Sequence, residues 1–377
     1  MATFRGNFEI IHGSNRVDET VARFHELGFS EIGIIVDKNL LSLPCFIEWT
    51  NYLESKFIVK FIAVPNLASE PTYQDLDHEF KLLKNNKVDS LVAFGGGSVL
   101  DTAKALSIMF TNLAPAISFR GLNKVKKPGL PLAVFPSTAG TGTEMTWTAS
   151  FIDLESKVKL GINGKNMFPA LAIIEPKLIV DAPFDVVRSA ALDTLVHAIE
   201  SVTSRNASFF SKTLGISATK KVISFLPAVK RNRINLENIE MLQIAAAEAG
   251  LAMLNSSGGP ASGISYPLGV HYKVPHGYAG GILLPEVMLA NIENKYLGYS
   301  QFYENSDSDG TKLLDEIENL YLTIDVPKNF KSWGFCNDKD AELIYSLTLQ
   351  ERKSNLELNP IEFSELALKR VLEKFIK

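Results

Sequence analysis

The chain has 377 residues, long enough for roughly two domains, and its 46% hydrophobic and 21% charged residues are the balance of a globular protein with a substantial core. A net charge of -4 gives no electrostatic reason to expect nucleic acid or an anionic membrane, residues 1–8 lack the layout of a signal peptide, and no apolar run reaches the roughly 18 residues that span a bilayer. These features predict a cytoplasmic protein without nucleic-acid or membrane partners, and the only cysteines, Cys45 and Cys336, exclude a disulfide framework and a thiolate zinc site and are expected to be buried thiols.

Strand-like runs at 31–36, 57–64, 91–94 and 132–135 alternate with helical ones, which predicts a mainly parallel sheet covered by helices. Asp37 ends the first run, where an acidic side chain accepts hydrogen bonds from an adenosine ribose, although strand-end aspartates also serve as turn and cap residues. The apolar run 88–94 passes into Gly95, Gly96 and Gly97 and then, from Ser98, into a helix predicted over 98–109 with Asp101 and Lys104 in its first turns. Glycines let the backbone turn tightly and approach a ligand, and a helix N-terminus favours an anion, so the turn reads as a phosphate or pyrophosphate site; the other reading is a tight turn that binds nothing. Its spacing matches neither G-x-G-x-x-G nor the P-loop. The basic, Gly/Pro-punctuated segment 120–131 is expected to loop out. After the strand at 132–135, the block from Pro136 to Glu144 brings Thr138, Thr141 and Thr143 among glycines, either to wrap a cofactor or as a solvated loop. Lys104 and Lys159 are either phosphate or ribose contacts or solvated side chains, the ordinary state of a lysine.

From Pro183 onward the period becomes helical, with runs at 187–203, 214–226 and 239–253. The expected division is therefore an α/β dinucleotide-binding domain over 1–182 and an all-helical metal and substrate domain over 183–377, with the glycine turn facing a cleft shared by the two. Asp193 and His197, four residues apart, share a helix face, suited to gripping a divalent cation or to an Asp–His hydrogen bond. Of the six histidines, His197, His271 and His276 fall in the helical part, the last where a helix is expected to end and a turn to project it. Oxygen and nitrogen donors without thiolate suit Fe²⁺ or Zn²⁺. The polar run 304–310 reads as a surface loop.

Gly95-Gly96-Gly97-Ser98 with Asp101, Ala103 and Lys104, the block Pro136 to Glu144, Asp193 with His197, and Pro275-His276-Gly277 together resemble, in order from about residue 34 to 285, the iron-dependent (group III) alcohol dehydrogenase family. The resemblance implies an α/β dinucleotide-binding domain followed by an all-α domain, a divalent metal, hydride transfer between a small alcohol or aldehyde and a nicotinamide cofactor, and a homodimer or larger homo-oligomer. By position it implies Asp37 as the ribose acid, favouring NAD over NADP. Gly96, Gly97 and Ser98 match the pyrophosphate loop, and Thr138 and Thr141 with Lys159 the cofactor contacts, among which Gly95, Asp101 and Thr143 are also counted. Asp193, His197 and His276 match three of four family metal ligands. Two family histidines, one a ligand and one a proton relay, correspond here to Ser262 and Tyr266. His271 is the candidate fourth ligand or proton carrier, with the Tyr266 hydroxyl a second route; a catalytic zinc also manages with three protein ligands. An overall similarity, tied to no individual residue, extends to the branch that oxidises a primary hydroxyl of a sugar acid such as 3-deoxy-D-manno-octulosonate. Two other readings use the same scaffold: a lyase of the dehydroquinate-synthase type without net change in NAD, and a nucleotide-binding protein that has lost the chemistry.

Overall fold

A computed structural model describes residues 3–6, 9–66, 70–230, 235–303 and 310–376; of the expected surface loop at 304–310, all but Gly310 lies outside the described residues. The chain forms two compact units, one of Gly6–Pro183 with Asn235–Ala247, the other of Met1–Arg5, Phe184–Ile234 and Glu248–Lys377.

The first unit carries strands β1 (Ile10–His12), β2 (Glu31–Val36), β3 (Ile58–Ala63), β4 (Ser90–Gly95), β5 (Gly121–Leu122), β6 (Leu132–Pro136), β7 (Thr148–Asp153), β8 (Val158–Asn163) and β9 (Leu171–Ile174), with helices α1 (Val17–Glu26), α2 (Pro44–Lys56), α3 (Tyr73–Leu83) and α4 (Gly97–Asn112). Six strands make one sheet in the order β1-β9-β6-β4-β2-β3, every pairing parallel. The inner strands β4, β6 and β9 are buried along their whole length, the signature of a parallel sheet covered on both faces, which is why β4 and β6 read as apolar runs rather than alternating ones. Phe94 stacks on Phe135 at 4.1 Å, and Trp49 and Phe46 of α2 pack edge-on against them.

The chain leaves β2 for β3 on one side, then returns through α3 to β4 on the other side of β2. Strand order therefore reverses between β2 and β4, and ligands bind at the carboxyl ends of strands where that happens. Asp37 and the triple glycine occupy those ends, tied together by the Asp37 amide donating to the Phe94 carbonyl at 2.9 Å.

Segment 120–131 was expected as loop throughout, but Gly121–Leu122 pairs with β8, which also forms an antiparallel hairpin with β7. That second sheet mixes buried with half-buried residues and polar with apolar ones, so neither β7 nor β8 presents an apolar run. Strands β1 and β9 are only three and four residues long, too short to show a period.

The second unit is helical: α5 (Phe184–Thr203), α6 (Phe209–Lys230), the end of α7 (Leu236–Leu254), α8 (Pro260–Tyr272), α9 (His276–Glu293), α10 (Thr311–Thr323), α11 (Asp338–Glu351), α12 (Lys353–Glu357) and α13 (Glu365–Glu373). The start of α7 groups with the α/β unit, where the Gln243 amide donates to the Pro136 carbonyl at 3.0 Å. Helix α5 is buried on nearly every side. Among the described residues no helix is long and apolar enough to cross a membrane. Cys45 is buried as expected, but Cys336 is exposed, because it stands in the turn that leads into α11 rather than on a packed face.

Candidate active site

In the helical unit, Asp193 and His197 project from one face of α5, and His276 is the first residue of α9. His197 Nε2 lies 3.4 Å and His276 Nε2 3.8 Å from Asp193 Oδ1, and one ligand atom from each of the three residues falls within 4.8 Å of the others. Two donors on a tetrahedral ion at ~2.1 Å stand about 3.4 Å apart, so the spacing fits a divalent cation. Two imidazoles and one carboxylate, with no thiolate, suit Fe²⁺ or Zn²⁺. Asp193 is 5% exposed, so its charge has little water to lean on.

The Pro-His-Gly motif has a packing cause. A Cβ on Gly277 would sit 1.7 Å from the Ser189 carbonyl oxygen, and one on Gly281 2.7 Å from Leu192 Cβ. Glycine at these positions lets α9 lie directly on α5, which brings His276 up to Asp193. Pro275 precedes the helix and the left-handed Lys273 ends α8, so a three-residue turn delivers His276.

Glu200, one turn beyond His197, is buried and accepts from the amides of Gly259 and Ala261, each at 2.7 Å, and of Ser262 at 3.2 Å. It caps the N-terminus of α8 from outside and locks that helix to α5; burial raises its pKa while these donors oppose the rise. A carboxylate in a buried helix one turn past a candidate ligand was the available signal for it.

His271 was expected as a possible fourth ligand. The donor cluster among the described residues is Asp193, His197 and His276 and does not include it. Tyr266 meets the His276 ring edge-to-face at 5.2 Å, and Ser262 is buried at the start of α8.

In the α/β unit, Gly96 caps α4 and none of the three glycines has a positive φ. Their requirement is close approach: a Cβ on Gly95 would meet Val99 at 2.5 Å, on Gly96 Thr138 at 3.1 Å, and on Gly97 Thr141 at 2.8 Å. The threonine loop thus packs directly on the glycine turn, with Ser98 in the first turn of α4, and the positive end of that helix is left to face an anion. Asp37 takes the Asn39 amide at 2.9 Å as a turn cap and is half-buried.

Asp101 and Thr143, expected among the cofactor contacts, are engaged beneath that surface. Thr143 Oγ1 donates to Asp101 Oδ1 at 2.5 Å, and the Ser150 amide to Oδ2 at 2.8 Å. Lys104 is neither solvated nor a phosphate contact: at 1% exposure it donates to the carbonyls of Thr143 and Thr148 and to Thr143 Oγ1. Burial pulls its pKa down to about 8 and pushes that of neighbouring Glu144 up to about 7. Lys159 stands on β8, paired with Glu70 at 2.6 Å.

The sequence profile of the iron-containing alcohol dehydrogenases matches residues 7–176, and that of the Fe-containing alcohol dehydrogenase family, C-terminal part, residues 188–376. The chain is 27% identical over 342 residues to the NAD-dependent methanol dehydrogenase of Bacillus methanolicus, covering 88% of this chain and 89% of that one. Its fold superposes on 1,3-propanediol oxidoreductase with a TM-score of 0.90 at 22% identity, over 99% of both chains. It also superposes on the sulfoacetaldehyde reductase of Bifidobacterium kashiwanohense in complex with NAD+, with a TM-score of 0.89 at 22% identity, over 100% of this chain and 99% of that one. With both halves matched and the Asp-His-His cluster in place, the chain belongs to the iron-containing alcohol dehydrogenase family.

Proposed function

We propose that this protein interconverts a small alcohol and its aldehyde by hydride exchange with NAD, using a divalent cation held by Asp193, His197 and His276. The observation that carries the reading is the convergence of those three side chains from α5 and α9. The methanol dehydrogenase relative is named for NAD, and the sulfoacetaldehyde reductase structure holds NAD+, which supports the cofactor.

Asp193, His197 and His276 would hold the cation; Gly95, Gly96, Gly97 and Ser98 would receive the pyrophosphate at the head of α4 with Thr138 and Thr141, and Asp37 would accept from the ribose. Lys159 is the further contact on that side. When bound, the cation would supply Lewis-acid polarisation of an alcohol oxygen, and the nicotinamide would supply the hydride acceptor. Asp193 would supply the carboxylate donor to a site that must hold a dication, and the His197 and His276 rings would supply the two nitrogen donors. The Tyr266 hydroxyl, on a ring that touches His276, is the proposed route for the hydroxyl proton, with His271 the alternative carrier outside the donor cluster. Residues 1–182 would supply the nucleotide side and 183–377 the metal side. The family resemblance supports a cytoplasmic homodimer or larger assembly, with zinc as well as iron able to serve, and a polyol or sugar-acid primary hydroxyl as substrate.

The test is alcohol-dependent formation of reduced nicotinamide by protein loaded with Fe²⁺ or Zn²⁺, screened over short alcohols, polyols and sugar acids. Net NADH that requires both cation and alcohol is expected. Nucleotide binding without net NADH from any of them would point instead to a lyase or a nucleotide sensor.

A further inference from the structure

His276 stands at the first position of α9, with its side chain 22% exposed against 12% for His197 in mid-helix, so less of its own helix restrains the imidazole. Its Nδ1 lies 3.4 Å from Ser265 Oγ, at the outer limit of a hydrogen bond. The Tyr266 ring meets the imidazole with centroids 5.2 Å apart and planes at 73°. The Arg352 guanidinium carbon lies over the Tyr266 ring, 3.8 Å from its centroid and in van der Waals contact with it. Gly263 makes that possible: a Cβ there would stand 2.7 Å from Asn355 Cβ and 3.6 Å from Arg352 Cβ, so α8 runs hard against the α11–α12 turn one helical turn before Tyr266.

We propose that Arg352 and Tyr266 form a clamp that fixes the imidazole of His276 for cation binding, Tyr266 acting through its ring, so that both are positioning residues for the cation site. The proposal rests on the reading of Asp193, His197 and His276 as that site. Guanidinium over ring and ring on imidazole are each favourable geometries, and the Arg352 contact restrains the Tyr266 ring that touches His276. Partners that orient metal-ligating histidines typically change metal affinity by about 10- to 100-fold when removed. In most such sites that partner is a hydrogen-bonding carboxylate or carbonyl; here an aromatic ring acts alongside the Ser265 hydroxyl.

The experiment is Zn²⁺ affinity, by competition with a chromophoric chelator, of the metal-free protein and its Tyr266→Leu, Tyr266→Phe and Arg352→Met variants, with thermal melts and NAD affinity alongside. Tyr266→Leu is expected to weaken Zn²⁺ binding by about 10-fold or more and Arg352→Met by about 3-fold. Tyr266→Phe should stay within about twofold of the parent, and NAD affinity should not move. Unchanged Zn²⁺ affinity in both Tyr266→Leu and Arg352→Met, or a loss in Tyr266→Phe equal to that in Tyr266→Leu, overturns the clamp. Should Tyr266→Leu fail to fold, Arg352→Met alone decides. If the parent itself and His276→Ala bind Zn²⁺ equally, the cation-site reading fails first and takes the clamp with it.

Discussion

Lys104 takes its ammonium group out of water into a ring of uncharged oxygens from Thr143 and Thr148, with Asp101 3.9 Å away and Glu144 close by. Removing a lysine from water is costly unless donors and charges are matched, and what the matching secures is the threonine loop that packs on Gly96 and Gly97. Glu144 is the group in this cluster with a testable consequence, since burial raises its pKa from 4.5 to about 7. Between those values the unfolded chain has released a proton that the folded chain keeps. Stability contributed by the protonated carboxyl is therefore full below the unfolded value and is lost as pH rises through the folded one. Urea unfolding should show the protein less stable at about pH 7.5 than at about pH 5, with the dependence flattened in Glu144→Gln; an identical pH slope in the variant contradicts the assignment. The metal donors and the glycine turn were legible in the sequence because their residue types are chemically committed. Lys104 was not, since a lysine in a helix reads as solvated by default and only tertiary contacts with a loop some forty residues later reveal otherwise.

Helices α5 and α9 build the cation site by their separation, and Gly277 sets it. A methyl group at that position would fall 1.7 Å from a backbone carbonyl, where no side chain can yield, so α9 itself must move. Gly277→Ala is expected to destabilise the protein by about 3 kcal/mol, the upper range for overpacking, and to weaken Zn²⁺ binding by at least about 10-fold as His276 retreats from Asp193. A thermal melt and the same chelator competition check both, and a variant with parental stability and affinity would show that the close approach is not what holds the histidine. The long helices were readable because α5, α6 and α7 repeat their apolar residues over many turns. The pairing of Gly121–Leu122 with β8 was hidden because a two-residue strand has no period at all.

At the scale of the molecule, the sequence order and the compact units differ in one informative place: Asn235–Ala247 begins a helix read as part of the helical half yet groups with the α/β half. Periodicity reports that a segment is helical and amphipathic but not which core its apolar face enters, so domain membership needed the contact between Gln243 and Pro136. The α/β class itself was legible, since alternating buried strands and helices leave few other architectures. The family profiles then cover both halves of the chain, which joins a nucleotide fold and a cation site in one enzyme. That union is tested most directly by titrating metal-free protein with Fe²⁺ or Zn²⁺ while following alcohol-dependent NADH formation, in the parent and in a His197→Ala, His276→Ala double variant. One cation bound per chain is expected, with NADH formation that rises in step with occupancy and both absent from the double variant; full NADH formation without cation, or undiminished cation binding in the double variant, would contradict a cation-dependent dehydrogenase.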